Sequence, residues 1–201
     1  MTVLPRPRPL VALLVYALLL LGPSAAMSAG VLPFELRFHV LVVASSVCIV
    51  QCVASGYSLA DLGLAERGDR RHWVSGGLLS VFLIAVVYLE ARMLASSHSS
   101  PDWRLFAPFY VFISSPCQEI VCRAAPRLLA EQVGASGPTY VLFSSVAFSL
   151  MHAAYGDPLL LINTFLAGVA WSTDYLLTRN LWPLIASHAA VGTFAFWIGV
   201  A

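Results

Sequence analysis

Seven long apolar runs, separated by short clusters of Arg, Pro, Gly and Asp, dominate this chain. About 20 apolar residues in a helix cover the roughly 30 Å hydrocarbon core of a bilayer, and a helix satisfies its backbone N–H and C=O groups within the segment itself. The runs cover roughly 10–29, 36–56, 74–97, 104–131, 138–155, 158–178 and 181–200. They predict an all-α, polytopic transmembrane helical bundle of about seven spans, with residues 1–201 forming a single integral membrane domain in contact with lipid. Only 10% of the residues are charged and 59% are hydrophobic, a balance that cannot clothe a water-soluble surface. All eleven basic residues are arginine, so there is no lysine nucleophile, and nothing resembles a basic nucleic-acid surface.

The arginines also set an orientation. Arg6, Arg8, Arg67, Arg70, Arg71, Arg127 and Arg179 fall on the N-terminal side of the predicted membrane, whereas only Arg37, Arg92 and Arg104 fall on the other. Seven against three favours a cytoplasmic N-terminus in a cell-membrane protein. Trp73, Trp103 and Trp182 lie at predicted span ends, where an indole suits the headgroup boundary as well as it suits ordinary packing. Residues 1–29 also satisfy a signal-peptide pattern, and their removal would leave six spans with every polar site intact. Cys48, Cys52, Cys117 and Cys122 lie in apolar segments without a CxxC pair or zinc-site spacing, and read as small buried hydrophobes.

Polar residues change the character of the chain after Pro101. An ionised side chain at mid-bilayer costs at least about 2.5–3.5 kcal/mol, so such groups face a bundle interior or a wet cavity. Gln118, Glu119 and Arg123 occupy the fourth run, and the spacing of four puts Glu119 and Arg123 on one helical face; Arg127 and Glu131 continue that stripe. Taken alone, this is equally a salt-bridge ladder that stabilises a helix. His152 ends the fifth run, with Ser145, Phe148 and Ser149 on its face, and His188 lies inside the seventh. At 1.5 Å per residue from the cytoplasmic ends, Glu119 is about 18 Å deep, His152 about 21 Å and His188 about 10 Å. The first two can be level; His188 requires a tilt or an earlier helix start. Asp174 reads as a headgroup-region residue or a partner of Arg179, and Glu90 and Arg92 as interfacial residues.

Such a constellation suits water activation, with a carboxylate and a histidine taking a proton and a second histidine donating to the oxyanion. The reaction class is amide hydrolysis inside the membrane. No GxSxG-type nucleophile motif is present. No cofactor is expected; zinc at Glu119, His152 and His188 ranks lower because Arg123 beside Glu119 would repel a dication.

Three motifs in this order carry a resemblance: Gln118-Glu119-Ile-Val-Cys-Arg123, Phe148-Ser-Leu-Met-His152 and His188-Ala-Ala-Val-Gly192. Over a motif-bearing core at 104–200 the chain resembles the CPBP family, intramembrane glutamic proteases that include the type II CAAX prenyl endopeptidases and bacteriocin-processing homologues. The resemblance implies a catalytic set of Glu119, His152, His188, Arg123 and Gln118, with Arg123 fixing Glu119, His152 activating water and His188 at the oxyanion. Two positions depart from the family pattern. Gln118 stands where the first Glu of the pair is expected and cannot serve as a base, and Gly192 stands where Asn is expected. The leading expectation is an endopeptidase acting on a membrane-associated peptide or protein. A catalytically inactive scaffold or immunity-type protein is the alternative, and a small transporter or proton relay the third.

Overall fold

Described in a computed structural model over residues 9–93 and 101–200, the chain is helical throughout its apolar runs. The expectations resting on Arg6, Arg8 and residues 94–97 fall outside these residues. The helices are α1 (Pro9–Ser28), α2 (Arg37–Ala54), α3 (Arg70–Met93), α4 (Trp103–Gln132), α5 (Gly137–Met151), α6 (Pro158–Thr178) and α7 (Leu181–Trp197). No strand occurs among the described residues. Five of the seven predicted spans, α1 to α4 and α6, are long and apolar enough to cross a bilayer unaided. The fifteen residues of α5 and seventeen of α7 are shorter, about 23 and 26 Å at a regular rise.

Local chemistry explains the shifted ends. α3 starts at Arg70, ahead of its apolar run, because the Asp69 carboxylate accepts the Arg71 and His72 backbone N–H groups at 2.8 and 3.1 Å. α5 stops at Met151 instead of running to 155: after His152 the chain makes a tight turn, Ala153–Tyr155, and reverses at Gly156 with a positive φ of 70°. Asp157 then caps α6 through the Leu159 and Leu160 N–H groups, with Pro158 at the first helical position where no N–H is needed.

α4 is the most irregular helix and positions the site. Two wide π turns, Tyr110–Ser114 and Ile120–Ala124, bracket the regular segment Ser115–Glu119. Each is followed two residues later by a proline, Pro116 and Pro126, which lacks the N–H that would continue the i→i−4 ladder. Carbonyls around these turns accept side-chain donors. The Ser115 hydroxyl donates to Tyr110 O at 2.9 Å, the Tyr16 hydroxyl to Val121 O at 2.7 Å, the Tyr140 hydroxyl to Arg123 O at 3.3 Å and the Ser144 hydroxyl to Cys122 O at 2.5 Å. α1 and α5 are thus tied to α4 at its weakest points.

The distribution of polarity is inverted relative to a soluble domain. Leu18, Leu78, Val81, Phe82, Leu105, Phe112, Leu177 and Trp197 face outward, while Ser114, Gln118, Glu119, Arg123, Ser144, Ser172 and His188 are buried. This is the arrangement of a membrane protein, in which lipid solvates the outer apolar surface and polar side chains bond between helices. Close packing uses small residues: a Cβ on Gly168 of α6 would lie 3.0 Å from Ser145 Cα of α5, and one on Gly76 of α3 2.8 Å from Pro183 Cβ of α7.

On the arginine-rich side, the connection between α2 and α3 folds under the bundle. Leu62 is fully buried, Gly63 O accepts the Leu181 N–H at 3.0 Å, and Trp182 Nε1 donates to Leu64 O at 3.1 Å. Arg179, left-handed at the end of α6, pairs with Glu131, which also holds Arg127 at 3.2 Å. Asp174 therefore does not pair with Arg179 and is not at the surface; it is buried and accepts the Ser75 hydroxyl from α3. Glu90 also turns inward, taking the Asn163 side-chain amide at 2.6 Å. All four cysteines are free thiols.

Candidate active site

Glu119, Arg123 and His188 meet at the centre of the bundle. Glu119 and Arg123 are both 0% exposed, with Glu119 Oε2 3.5 Å from Arg123 Nε across one helical turn. The other carboxylate oxygen, Oε1, lies 2.7 Å from His188 Nδ1 on α7. The helices therefore bring together the two residues whose depths, counted along straight helices, differed by about 8 Å. An ionised carboxylate can only accept, so the His188 Nδ1 carries the proton. In the neutral ring this leaves the Nε2 lone pair pointing away from Glu119.

Aromatic rings enclose the group. The His188 ring stacks on Trp171 with centroids 4.6 Å apart and planes 15° from parallel, and Trp171 Nε1 donates to Ser187 Oγ at 3.0 Å. The Arg123 guanidinium lies 4.5 Å from the centroid of Phe148, an attraction strengthened by desolvation. Its Nη1 reaches Cys122 O at 3.3 Å and Ser144 Oγ at 3.5 Å. The arginine thus serves two purposes at once, neutralising Glu119 and bracing the irregular turn of α4.

His152 and Gln118 occupy a different position. Both line two neighbouring cavities that share the Phe38 and Tyr155 walls. The larger, about 110 Å³, lies among α3, α4, α6 and α7 and is also lined by His188, Trp171, Tyr110 and Gly192. The smaller, about 80 Å³, lies among α1, α2, α4 and α5, with Arg37 its charged lining residue. His152 Nδ1 is 2.8 Å from Phe148 O and donates to it, so its Nε2 is again the free nitrogen. Gln118 Nε2 donates to Ser114 Oγ at 2.9 Å, leaving its carbonyl oxygen buried and without a partner. Phe148 touches both imidazoles, with centroids 4.8 Å from His152 and 5.5 Å from His188.

The five candidates thus divide. Gln118, His152 and His188 line a cavity; Glu119 and Arg123 line neither and sit behind His188. Among the described residues no three His, Cys, Asp or Glu side chains converge closely enough to hold a metal ion. Sequence reasoning missed Tyr110, whose ring reaches α7 beside Gly192. Its only signal was a tyrosine in an apolar run, which by itself reads as packing.

The fold and this centre define a multi-span all-α membrane protein with a buried Glu–Arg–His group behind an apolar chamber. Residues 100–194, which contain every candidate residue, match the family Rce1-like: Type II CAAX prenyl endopeptidase Rce1-like. Over these residues the chain is similar to the Rce1-like family, in keeping with the resemblance drawn from its sequence. No curated protein and no solved structure matches it.

Proposed function

We propose that this protein is an intramembrane endopeptidase that hydrolyses a peptide bond in a membrane-associated peptide or protein using histidine-activated water. The observation that carries the proposal is the pair of imidazoles, each anchored through Nδ1 with Nε2 free, on the wall of one apolar cavity. Water between these nitrogens donates a hydrogen to each. As its oxygen adds to the scissile carbonyl carbon, one proton moves to His188 Nε2, because Glu119 on the opposite ring nitrogen stabilises the imidazolium that forms. The carbonyl π pair moves onto oxygen. When the adduct collapses the C–N bond breaks, and the amine leaves with the proton His188 had taken.

This assignment exchanges the histidine roles that the family resemblance implied, for a local reason: a charged His188 is stabilised by a carboxylate, a charged His152 only by a carbonyl. Gln118, unable to take a proton, presents its unpartnered oxygen as an acceptor for a backbone N–H of an extended substrate. Chambers on both sides of His152 and Gln118 suit a chain that continues past the cleaved bond in both directions, as an endopeptidase requires. The purified protein in detergent should cleave members of an apolar peptide library, and His152→Ala should lower kcat/KM by about 10²–10³-fold. Absence of cleavage by the wild type defeats the proposal and favours the second reading, a non-catalytic scaffold, which Gln118 at the expected base position supports.

The site's mouth supports a substrate on a particular face. Phe38 opens α2, Tyr155 follows α5, Leu160 opens α6 and Phe196 closes α7, all on the side opposite the arginine-rich connections. With that arginine-rich side cytoplasmic in the cell membrane, the substrate is an exported or membrane-inserted segment and not a cytosolic prenylated tail. Alkaline phosphatase fused after residue 201 should be active in a bacterial host and green fluorescent protein there dark; the reverse pattern would put the mouth in the cytoplasm.

A further inference from the structure

We propose that Tyr110 is a catalytic residue of this site, its phenolic O–H donating to the carbonyl oxygen that becomes negative when water adds, and that residue 192 is glycine in order to admit it. This rests on the endopeptidase reading. A Cβ built on Gly192 would lie 2.0 Å from the Tyr110 hydroxyl oxygen and 2.6 Å from the ring carbon that bears it. The hydroxyl therefore lies against the bare backbone of α7, one helical turn beyond His188, and both residues line the larger cavity.

The ring is held for this position. Phe106 stacks on it with centroids 5.2 Å apart, Phe196 meets it edge-on at 5.6 Å, and His188 lies 6.0 Å away. Tyr110 begins the first π turn of α4, and its carbonyl accepts both the backbone N–H and the hydroxyl of Ser115. The wide turn changes the direction in which its side chain leaves the helix.

Several other donors on this wall are already engaged. The Asn163 amide serves Glu90, the Thr164 hydroxyl serves Leu160 O at 2.7 Å, and the Gln118 amide serves Ser114. His188, with Nδ1–H given to Glu119, starts with a lone pair at Nε2, and the proton it takes there is the one the leaving amine needs. A tetrahedral adduct formed in this chamber needs a donor, and the Tyr110 hydroxyl supplies one without transferring its proton. In a cavity with mostly apolar walls such a bond strengthens as charge develops on the acceptor, so it stabilises the transition state more than the bound substrate.

Tyr110→Phe keeps every ring contact and removes only the donor. Its kcat on a cleaved library peptide should fall about 10²-fold, with KM and thermal midpoint unchanged. Gly192→Ala, which drives the ring off α7 while keeping the hydroxyl, should lower kcat as well. A wild type that cleaves together with a Tyr110→Phe variant of equal kcat, or one altered in KM alone, overturns the role of Tyr110 and leaves the endopeptidase reading standing. A wild type that does not cleave overturns both.

Discussion

Glu119→Ala should destabilise the protein by about 3–5 kcal/mol and abolish cleavage. The carboxylate is fully buried between Arg123 and His188. Without it the guanidinium stays at the centre of a membrane bundle with Phe148 below it and only carbonyl and hydroxyl oxygens as partners. An unpaired buried charge costs more than the pair is worth, because both the lost attraction and the earlier desolvation then count against folding. The check is thermal unfolding in detergent beside the double variant Glu119→Leu/Arg123→Met, which removes both charges and keeps the volume. The double variant should recover most of the midpoint and none of the cleavage. A Glu119→Ala protein as stable as the wild type would mean that the ion pair does not hold the fold.

His188→Ala should lower kcat on the order of 10⁴-fold, about 5–6 kcal/mol of transition-state stabilisation, the largest loss of rate expected of a substitution that leaves the buried ion pair in place. The ring is in contact with both the buried carboxylate and the cavity, so its removal takes away the proton acceptor and the link to Glu119 together. Its effect on folding should be smaller than that of Glu119→Ala: Arg123 and Glu119 keep each other, and the loss is the stack on Trp171. Comparison with His152→Ala decides between the two imidazoles. A deeper loss of kcat in His152→Ala would make His152 the base and return His188 to a supporting place.

These two residues also mark how far the sequence could be read. The spacing of Glu119 and Arg123 on one face follows from helix geometry alone, and the structure has them paired at 3.5 Å. The meeting of Glu119 with His188 did not follow, because residues 69 positions apart on helices of different depth carry no local signature of contact. The ends of α3 and α5 moved for a related reason: hydropathy marks where apolar residues stop, whereas the helix stops where its backbone donors and acceptors are satisfied. Asp69 extends α3 beyond its apolar run, and Gly156 lets the chain turn soon after His152. Asp174 pairs with Ser75 on a distant helix, while its near neighbour Arg179 faces Glu131.

The long apolar runs by themselves determined that the chain is a helical membrane bundle, since only segments that satisfy their own backbone can stand in lipid. They also marked the ionisable residues after Pro101 as groups that must face the bundle interior, because such side chains are too costly to leave against lipid. Tertiary structure alone decided which polar groups serve the cavity and which stand behind it. Glu119, the residue the motif makes most prominent, is sealed off with Arg123, while Gln118, His152 and His188 line the chamber. Tyr110 and Gly192, 82 positions apart in sequence (192 − 110), have meaning only as a pair in contact. Close packing is a property of facing surfaces, and a single helix's sequence carries only one of them.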